Sequence, residues 1–269
     1  YKNRKTRETL KPLKRFGQNF LTDPRYTSKI VDAFAPKPDD TVLEIGPGKG
    51  AITEKLLGSA CDLRVVEIDT RAIELLREKF PQLQIIEGDF MEVWIKEVAA
   101  GRKLRVIGNI PYNITTPIIF KLLEEREHVK DVMLMVQLEV ARRITAPPNN
   151  KEYGILSVVL GVYATLTFHF KVPNTVFFPK PKVDSAIISL EFNRDESLIK
   201  DHKLFRRVVR TAFNQRRKTL RNALSPVLET LPAGYTSPID LGRRAEQLTP
   251  EEFIHLSNTM FEAIETDRP

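Results

Sequence analysis

Four short apolar runs in the first half of the chain are each closed by a polar or glycine-rich turn. The run at residues 41–45 leads into the turn 46–50, and the next three runs are closed by Glu67, Asp89 and Asn109. Apolar runs of this length between helical patterns are typical of buried parallel strands in an open α/β sheet. Ligands of such sheets bind at the carboxyl ends of the strands. The pattern therefore predicts one ligand site assembled from four strand ends.

The turn Gly46-Pro47-Gly48-Lys49-Gly50 lets a nucleoside-like ligand approach the backbone closely. It is not a phosphate-binding P-loop, because the spacing before Lys49 is wrong and no Ser or Thr follows it. Glu67 stands about 20 residues after the first glycine, where an acidic side chain can accept from both ribose hydroxyls. These two features fit NAD and S-adenosylmethionine equally well.

Asp89 and Phe90 follow the third strand pattern. The Asp89 carboxylate can accept from an adenine amino group while the Phe90 ring covers the base, although a turn aspartate beside a core phenylalanine has the same pattern. The strand ends come in the order glycine-rich turn, acid, acid and Asn-Ile-Pro-Tyr. This order favours S-adenosylmethionine over NAD.

The segment Asn109-Ile110-Pro111-Tyr112 carries groups suited to an exocyclic amine of a nucleobase. Pro111 biases Ile110 towards an extended backbone that presents its carbonyl as an acceptor, and the Asn109 side chain offers a second acceptor. Two acceptors on one amine favour a more tetrahedral nitrogen, which can attack without a strong general base. Tyr112 can stack on a base that has swung out of its own stack. Taken alone, the four residues also fit an ordinary strand-to-helix turn with a proline in it.

The net charge of the 269-residue chain is +7, and it is concentrated in two segments. Residues 1–15 have a net charge of +6 and residues 199–222 one of +8, so the remainder has a net charge of −7. Two basic segments on an acidic body indicate a polyanionic partner, of which nucleic acid is the usual one. A solvated tail and a solvated helix face are the alternative.

Composition and patterning narrow the class of protein further. Hydrophobic residues make up 42% of the chain, enough for the core of one large domain and a small one. No apolar run approaches the roughly 18 residues of a membrane span, which predicts a cytoplasmic protein without membrane contact. The single cysteine, Cys61, and four scattered histidines predict neither a disulfide nor a metal site. Helical periodicity replaces alternation after Asn193, which predicts a domain boundary near residues 194–197.

Seven segments, in an order that spans nearly the whole chain, carry the motifs of one enzyme family: residues 16–21, 44–50, 67, 88–90, 109–112, 177–186 and 216–220. They resemble the ribosomal RNA adenine N6,N6-dimethyltransferases, both the housekeeping small-subunit enzymes and their macrolide-resistance relatives. Ile110 stands where many DNA amino-methyltransferases have a proline. Since only its backbone carbonyl is required to act, this departure leaves the mechanism intact.

The resemblance implies a Rossmann-like class I methyltransferase fold. It predicts a seven-stranded, mostly parallel α/β sheet whose last strand is antiparallel, in a domain of residues 1–193 that includes the basic tail. A smaller, all-helical RNA-binding domain is expected at residues 194–269. The implied cofactor is S-adenosyl-L-methionine. The implied partner is ribosomal RNA within an immature small ribosomal subunit, bound by a monomer.

The resemblance also implies roles for individual residues. Cofactor contacts are expected from Gln18, Asn19, Leu21, Gly46, Gly48, Glu67, Ile68, Asp89, Phe90 and Asn109. Catalytic roles are expected from Asn109, Ile110, Pro111, Tyr112 and Phe177. Within this set Phe177 is the second aromatic clamp on the flipped adenine, opposite Tyr112, and Phe178 is the weaker candidate for that role. Contacts to RNA phosphates are expected from Arg207, Arg210, Arg216, Arg217, Lys218 and Arg221.

The implied reaction is methyl transfer from S-adenosylmethionine to N6 of two adjacent adenines in small-subunit, 16S-type ribosomal RNA during ribosome biogenesis. Two alternatives stay open. One is an enzyme of the macrolide-resistance type that methylates a single adenine in large-subunit RNA. The other is a non-catalytic RNA-binding assembly factor on the same fold. A dehydrogenase is a remote third alternative, which measurable NAD binding would revive.

Overall fold

The structure is a computed structural model that describes residues 10–13 and 17–267. Apart from residues 10–13, the basic segment predicted at residues 1–15 lies outside the described residues, and so does Phe16. Within the described residues, no helix has both the length and the apolar composition to cross a membrane. The same residues contain no group of three or more His, Cys, Asp or Glu side chains placed to hold a metal ion.

A seven-stranded sheet forms the centre of the fold, as the sequence predicted. In spatial order its strands are β4 (Gln84–Glu87), β3 (Asp62–Glu67), β2 (Thr41–Ile45), β5 (Leu104–Asn109), β6 (Val129–Gln137), β9 (Ser185–Glu191) and β7 (Thr165–Val172). Parallel ladders join β4 to β3, β3 to β2, β2 to β5 and β5 to β6. A separate antiparallel ladder joins β1 (Phe20–Leu21) to β8 (Phe177–Phe178).

The strand order places a topological switch point between β2 and β5. The chain proceeds from β2 outwards to β3 and β4, and then crosses back to add β5 on the other side of β2. Gly108 lets β5 lie close to the end of β2, because a Cβ at this position would be only 2.9 Å from the Ile45 carbonyl oxygen. In open α/β sheets the crevice at such a switch point is where ligands bind.

Eleven helices accompany these strands in the described part of the chain. Their bounds are α1 Pro24–Phe34, α2 Ala51–Leu57, α3 Thr70–Lys79, α4 Ile95–Ala99, α5 Thr115–Glu124, α6 Leu138–Thr145, α7 Ile155–Gly161, α8 His202–Asn214, α9 Leu220–Ala223, α10 Ser225–Leu228 and α11 Pro250–Thr266. Two helices begin at residue types that are typical of helix caps. Asp23 caps α1 by accepting from the Arg25 N–H at 2.9 Å, and Thr249 and Glu252 form a capping box at α11.

The core of the sheet is buried on both faces, as expected for parallel strands. All five residues of β2 are buried, and Val106 and Ile107 of β5 are at most 1% exposed. Strand β2 also carries one buried acid, Glu44, among its apolar residues. A rigid sheet of this kind fixes the strand ends that carry the predicted site.

The chain divides into two compact units. The first comprises the described residues up to 138 together with 169–189, and the second comprises 139–168 together with 190–267. The second unit therefore includes α7, which the sequence placed with the methyltransferase domain. The reason is local packing: the Tyr153 hydroxyl donates to the Leu248 carbonyl at 2.9 Å, and its ring contacts Phe213 at a centroid distance of 6.0 Å. The functional boundary at residues 193 and 194 stays a prediction.

Candidate active site

A cleft in the first unit opens at the carboxyl ends of β2, β3, β4 and β5. Its volume is about 1070 Å³ with its open mouth included. The cleft is lined by each residue predicted to contact the cofactor: Gln18, Asn19, Leu21, Gly46, Gly48, Glu67, Ile68, Asp89, Phe90 and Asn109. Ile110, Pro111 and Tyr112 line it as well. The structure thus brings two sets of residues, predicted from separate motifs, into one site, and their individual roles stay predictions.

The glycine-rich turn requires glycine for two different reasons. Gly46, Gly48 and Gly50 have φ values of +65°, +56° and +77°, a region that L side chains rarely adopt. A Cβ on Gly50 would also lie 2.7 Å from the Phe80 ring, and one on Gly48 would lie 3.0 Å from the Phe20 ring. A Cβ on Gly46 would meet nothing within 4 Å. Gly46 therefore leaves the backbone open where it lines the cleft.

Glu67 is held at the end of β3 by three backbone donors. One carboxylate oxygen accepts from the Gly48 N–H at 3.0 Å, and the other accepts from Ile68 and Asp69 at 2.9 Å each. Burial raises the pKa of Glu67, and the three hydrogen bonds oppose that shift. A carboxylate has roughly four acceptor positions. The predicted grip on two ribose hydroxyls therefore requires that at least one of these backbone bonds be shared or released.

Glu44 lines the same cleft and is a site residue that the sequence reasoning did not single out. Its carboxylate is 2% exposed and accepts from the Thr53 hydroxyl at 2.6 Å. Burial raises the pKa of Glu44 to about 8, and the nearby charge of Glu67 adds to the effect. The signal in the sequence was the lone acid inside an apolar strand, since an unpaired carboxyl is rarely buried without a role.

Two residues predicted as cofactor contacts also hold the segment in front of the cleft. The Gln18 amide donates to the Asp69 carboxylate at 2.9 Å and accepts from the Leu13 N–H at 2.9 Å. The Asn19 carbonyl accepts from the Asn109 side-chain amide at 3.0 Å. This bond uses the Asn109 nitrogen and so leaves its Oδ1 as the acceptor for a substrate amine.

The residues after Asn109 form a tight, partly buried turn. The Ile110 side chain is 1% exposed, and Pro111 precedes a single turn of 3₁₀ helix over Tyr112–Ile114. The half-buried Tyr112 ends in a hydrogen bond between its hydroxyl and the Ser185 hydroxyl, 2.7 Å apart. Burial raises the pKa of Tyr112, so its hydroxyl stays protonated at neutral pH.

Phe177 does not line the cleft. It pairs with Leu21 in the ladder of β1 and β8, and its side chain is 5% exposed in the core beside Ile30 and Phe34. Phe178 points to the other face of this ladder and is 60% exposed. The two-residue ladder thus buries the residue that the motif places at the target base. The clamp role of Phe177 stays a prediction.

Five of the six cations predicted to contact RNA have exposed side chains without a hydrogen bond or ion pair to another described residue: Arg207, Arg210, Arg217, Lys218 and Arg221. Arg216 differs. Its guanidinium donates to the carbonyls of Lys151 and Tyr153 at 2.8 Å each, and it is paired with Glu246 at 3.2 Å. In this structure Arg216 holds a loop of its own unit, which the sequence did not predict.

Comparisons with known proteins match this arrangement over most of the chain. A family model described as "Ribosomal RNA adenine dimethylase" matches residues 10–262. The "Ribosomal RNA small subunit methyltransferase A" of Chlorobium luteolum is 46% identical over 245 residues, which are 90% of this chain and 88% of that protein.

Two solved structures share the fold. A dimethyladenosine transferase from Plasmodium falciparum has a TM-score of 0.76 at 28% identity, covering 88% of this chain and 95% of the other. The 23S rRNA methyltransferase ErmE has a TM-score of 0.68 at 26% identity, covering 90% and 100%. These superpositions confirm the predicted methyltransferase fold. Together with the family model, they show that the chain belongs to the ribosomal RNA adenine dimethylase family.

Proposed function

We propose that this protein transfers methyl groups from S-adenosylmethionine to N6 of two adjacent adenines in small-subunit ribosomal RNA. The observation that carries the proposal is the hydrogen bond from the Asn109 amide to the Asn19 carbonyl. Because this bond uses the side-chain nitrogen, the Asn109 oxygen is left to accept from an exocyclic amine. Glu67 and Asp89 line the same cleft. The substrate RNA is supported by the name of the Chlorobium luteolum relative.

The residues of the cleft fit the proposed cofactor, which supplies an activated methyl group on a sulfonium. Gly46 leaves the backbone open to the methionine portion, because a Cβ there would meet nothing within 4 Å. Glu67 stands at the end of β3 for the ribose, and Asp89 stands after β4 for the adenine amino group. The Glu67 carboxylate at the end of β3 suits a ligand that carries positive charge.

The chain's own residues then orient the target amine. In the first transfer the Asn109 oxygen and the Ile110 carbonyl accept the two N–H groups of the amine, and in the second transfer the one N–H group that remains is accepted by one of them. These hydrogen bonds localise the nitrogen lone pair in the direction of the methyl group. Tyr112 stacks on the flipped adenine. The nitrogen attacks first and loses its proton afterwards, so no strong base is needed. Most of the rate enhancement therefore comes from holding the amine and the methyl group at the reactive distance and angle.

The second unit supplies the proposed contact with the rest of the RNA. Its exposed, unpaired cations run from Arg207 on α8 to Arg221 on α9. Side chains of this type bind phosphates with strong salt dependence and little sequence information. We expect a monomer that acts in the cytoplasm on an immature small subunit.

The macrolide-resistance alternative is not favoured. The relatives named for the small subunit are up to 46% identical to this chain, whereas the large-subunit enzyme ErmE is 26% identical. A non-catalytic assembly factor is not favoured either, because Asn109, Tyr112, Glu67 and Asp89 are all present in one cleft.

The direct test is transfer of labelled methyl from S-adenosylmethionine to small and large ribosomal subunits, purified separately from cells that lack the cognate methylation. Digestion to nucleosides identifies the product. Dimethyladenosine from small subunits alone is the expected result. Label on large-subunit RNA alone would move the protein to the resistance branch, and RNA binding without label would identify an assembly factor.

A further inference from the structure

Tyr112 and Ser185 connect two parts of the cleft wall that are far apart in sequence. Tyr112 lies in the turn after β5, and Ser185 is the first residue of β9. Their hydroxyl oxygens are 2.7 Å apart. In the sheet, β6 lies between β5 and β9. The bond therefore spans an intervening strand and fixes the far end of the Tyr112 side chain.

Ser185 is a rigid anchor for this bond. Its side chain is fully buried, at 0% exposure. The preceding residue, Asp184, is held at several points: its carbonyl accepts from Leu138 at 3.0 Å, and its carboxylate accepts from the Asn174 N–H at 2.9 Å and pairs with Lys171 at 2.7 Å. A hydroxyl on a backbone held this firmly has a fixed position.

The same network closes the base of the loop between β7 and β9. The Asp184 carboxylate binds the Asn174 N–H near the start of the loop, and the Asn174 side chain donates to the Pro181 carbonyl at 3.1 Å. Phe177 and Phe178 lie within this loop. Tyr112 is thus tied, through Ser185, to the segment that carries both candidates for the second clamp of the target base.

We propose that Ser185 is a positioning residue for methyl transfer, whose hydroxyl anchors the Tyr112 hydroxyl and holds the tyrosine ring in the plane that stacks on the target adenine. The proposal rests on the proposed function. A tyrosine side chain has two rotatable bonds, and an anchor at its hydroxyl limits both. The target nitrogen then sits at a defined distance and angle from the methyl group, which is where positioning contributes to rate.

The expected effect is on turnover and not on cofactor binding. Ser185 does not line the cleft, and Glu67 and Asp89 do not depend on it. Removing the anchor with Ser185→Ala should lower the single-turnover methylation rate by roughly 10-fold, within the range that a small misplacement of reacting groups costs. Affinity for S-adenosylmethionine should stay within a factor of about two of the wild type, since every residue that lines the cofactor cleft is unchanged.

The test is a double-mutant cycle of Ser185→Ala and Tyr112→Phe, measured as single-turnover methylation of small subunits. If Ser185 acts through the tyrosine hydroxyl, each single variant slows transfer similarly, and Ser185→Ala has no further effect in the Tyr112→Phe background. Equal slowing by Ser185→Ala in both backgrounds would overturn the proposal, and so would a Ser185→Ala variant with the wild-type rate.

A matched control separates positioning from loss of fold. Ser157 is a buried serine of the second unit, 2% exposed, whose hydroxyl binds the Arg143 carbonyl. Because the Ser157 hydroxyl also accepts from the Gly154 N–H at 3.1 Å, Ser157→Ala should lower the melting temperature at least as much as Ser185→Ala but leave the rate per folded molecule unchanged. A wild-type protein that methylates neither subunit would overturn the proposed function and, with it, this proposal. If the wild type is active and the effects of Ser185→Ala and Tyr112→Phe on its rate are non-additive, the result supports both the proposed function and this proposal.

Discussion

At the scale of single residues, we propose Asn109 as the acceptor for the target amine. Replacing Asn109 with alanine removes this proposed acceptor while Glu67 and Asp89 remain. We expect Asn109→Ala to lower the single-turnover rate by about 100-fold or more, a typical cost of one polar transition-state contact. The cofactor should still bind, and its affinity, measured by calorimetry, should fall much less than the rate, because the other nine predicted cofactor contacts remain. Asn113→Ala, an exposed amide in the same turn, is the control, and near-normal transfer by Asn109→Ala would exclude the role.

The raised pKa of Glu44 leads to a prediction of how the stability of the protein depends on pH. Burial raises its pKa to about 8 in the folded protein, whereas an exposed glutamate titrates near 4.5. Between these values the folded state retains a proton that the unfolded state releases, so stability should fall as pH rises from about 4.5 to about 8. Glu44→Gln removes this loss and can keep the bond from Thr53.

The measurement is thermal unfolding without cofactor between pH 5 and pH 8. The melting temperature of Glu44→Gln relative to the wild type should rise across this range. The control is Glu139→Gln, at a glutamate with 80% of its side chain exposed. Its melting temperature should change with pH in the same way as that of the wild type. A Glu44→Gln curve parallel to the wild type would contradict the assignment.

The ten positions predicted for the cofactor and four of the five predicted catalytic positions, with Asn109 in both sets, line one cleft. Those from residue 46 onwards could be predicted because they lie at or just after a strand end, whereas Gln18, Asn19 and Leu21 were predicted from the family resemblance alone. The residues that differ from expectation depend on packing, which spacing does not encode. Phe177 and Phe178 are adjacent in sequence, and only the ladder with β1 decides which of them is buried. Nothing in the sequence distinguishes Arg216 from its neighbour Arg217. Only the folded structure shows that Arg216 donates to the carbonyls of residues 151 and 153.

At the scale of elements, two glycines of the turn between β2 and α2 are expected to have different functions. Gly46 serves cofactor binding, and Gly50 serves the stability of the fold. Alanine at either Gly46 or Gly50 has a positive φ, which costs roughly 1–2 kcal/mol. At Gly50 the new Cβ also approaches the Phe80 ring at 2.7 Å, whereas at Gly46 it points into open space. We therefore expect Gly50→Ala to lower the melting temperature more, and Gly46→Ala to weaken S-adenosylmethionine binding more. The opposite ranking in both assays would contradict this division.

Element boundaries were predictable where a local signal exists. The starts of α1 and α11 follow from their capping residues, and the buried strands follow from apolar runs. The ladder of β1 and β8 has only two residues in each strand, too few for an alternating pattern to show. Its pairing depends on two segments more than 150 residues apart, which is a tertiary feature.

At the scale of the whole molecule, charge and chemistry are divided between the two compact units. The first contains the cleft, and the second contains the five exposed, unpaired cations that are predicted to contact RNA. The sequence indicated a basic second unit through its segment 199–222 but did not indicate the allocation of residues 139–168. That allocation follows from contacts such as the Tyr153 hydroxyl with Leu248, which join segments about 95 residues apart. Periodicity along the chain carries no information on such contacts.

The division of charge leads to a prediction about RNA affinity. Replacing Arg217 and Lys218 with glutamate reverses two exposed charges that have no partner among the described side chains. We expect weaker binding to small subunits, and a shallower dependence of log affinity on log salt by roughly 0.7–0.9 for each RNA phosphate that the variant no longer neutralises. The charge-matched control is Lys96→Glu with Lys103→Glu, two exposed lysines of the first unit. Both variants have the same net charge, so a difference in affinity reports the position of the charges. If the two variants bind equally weakly, RNA senses only net charge, and the second unit is not its specific contact.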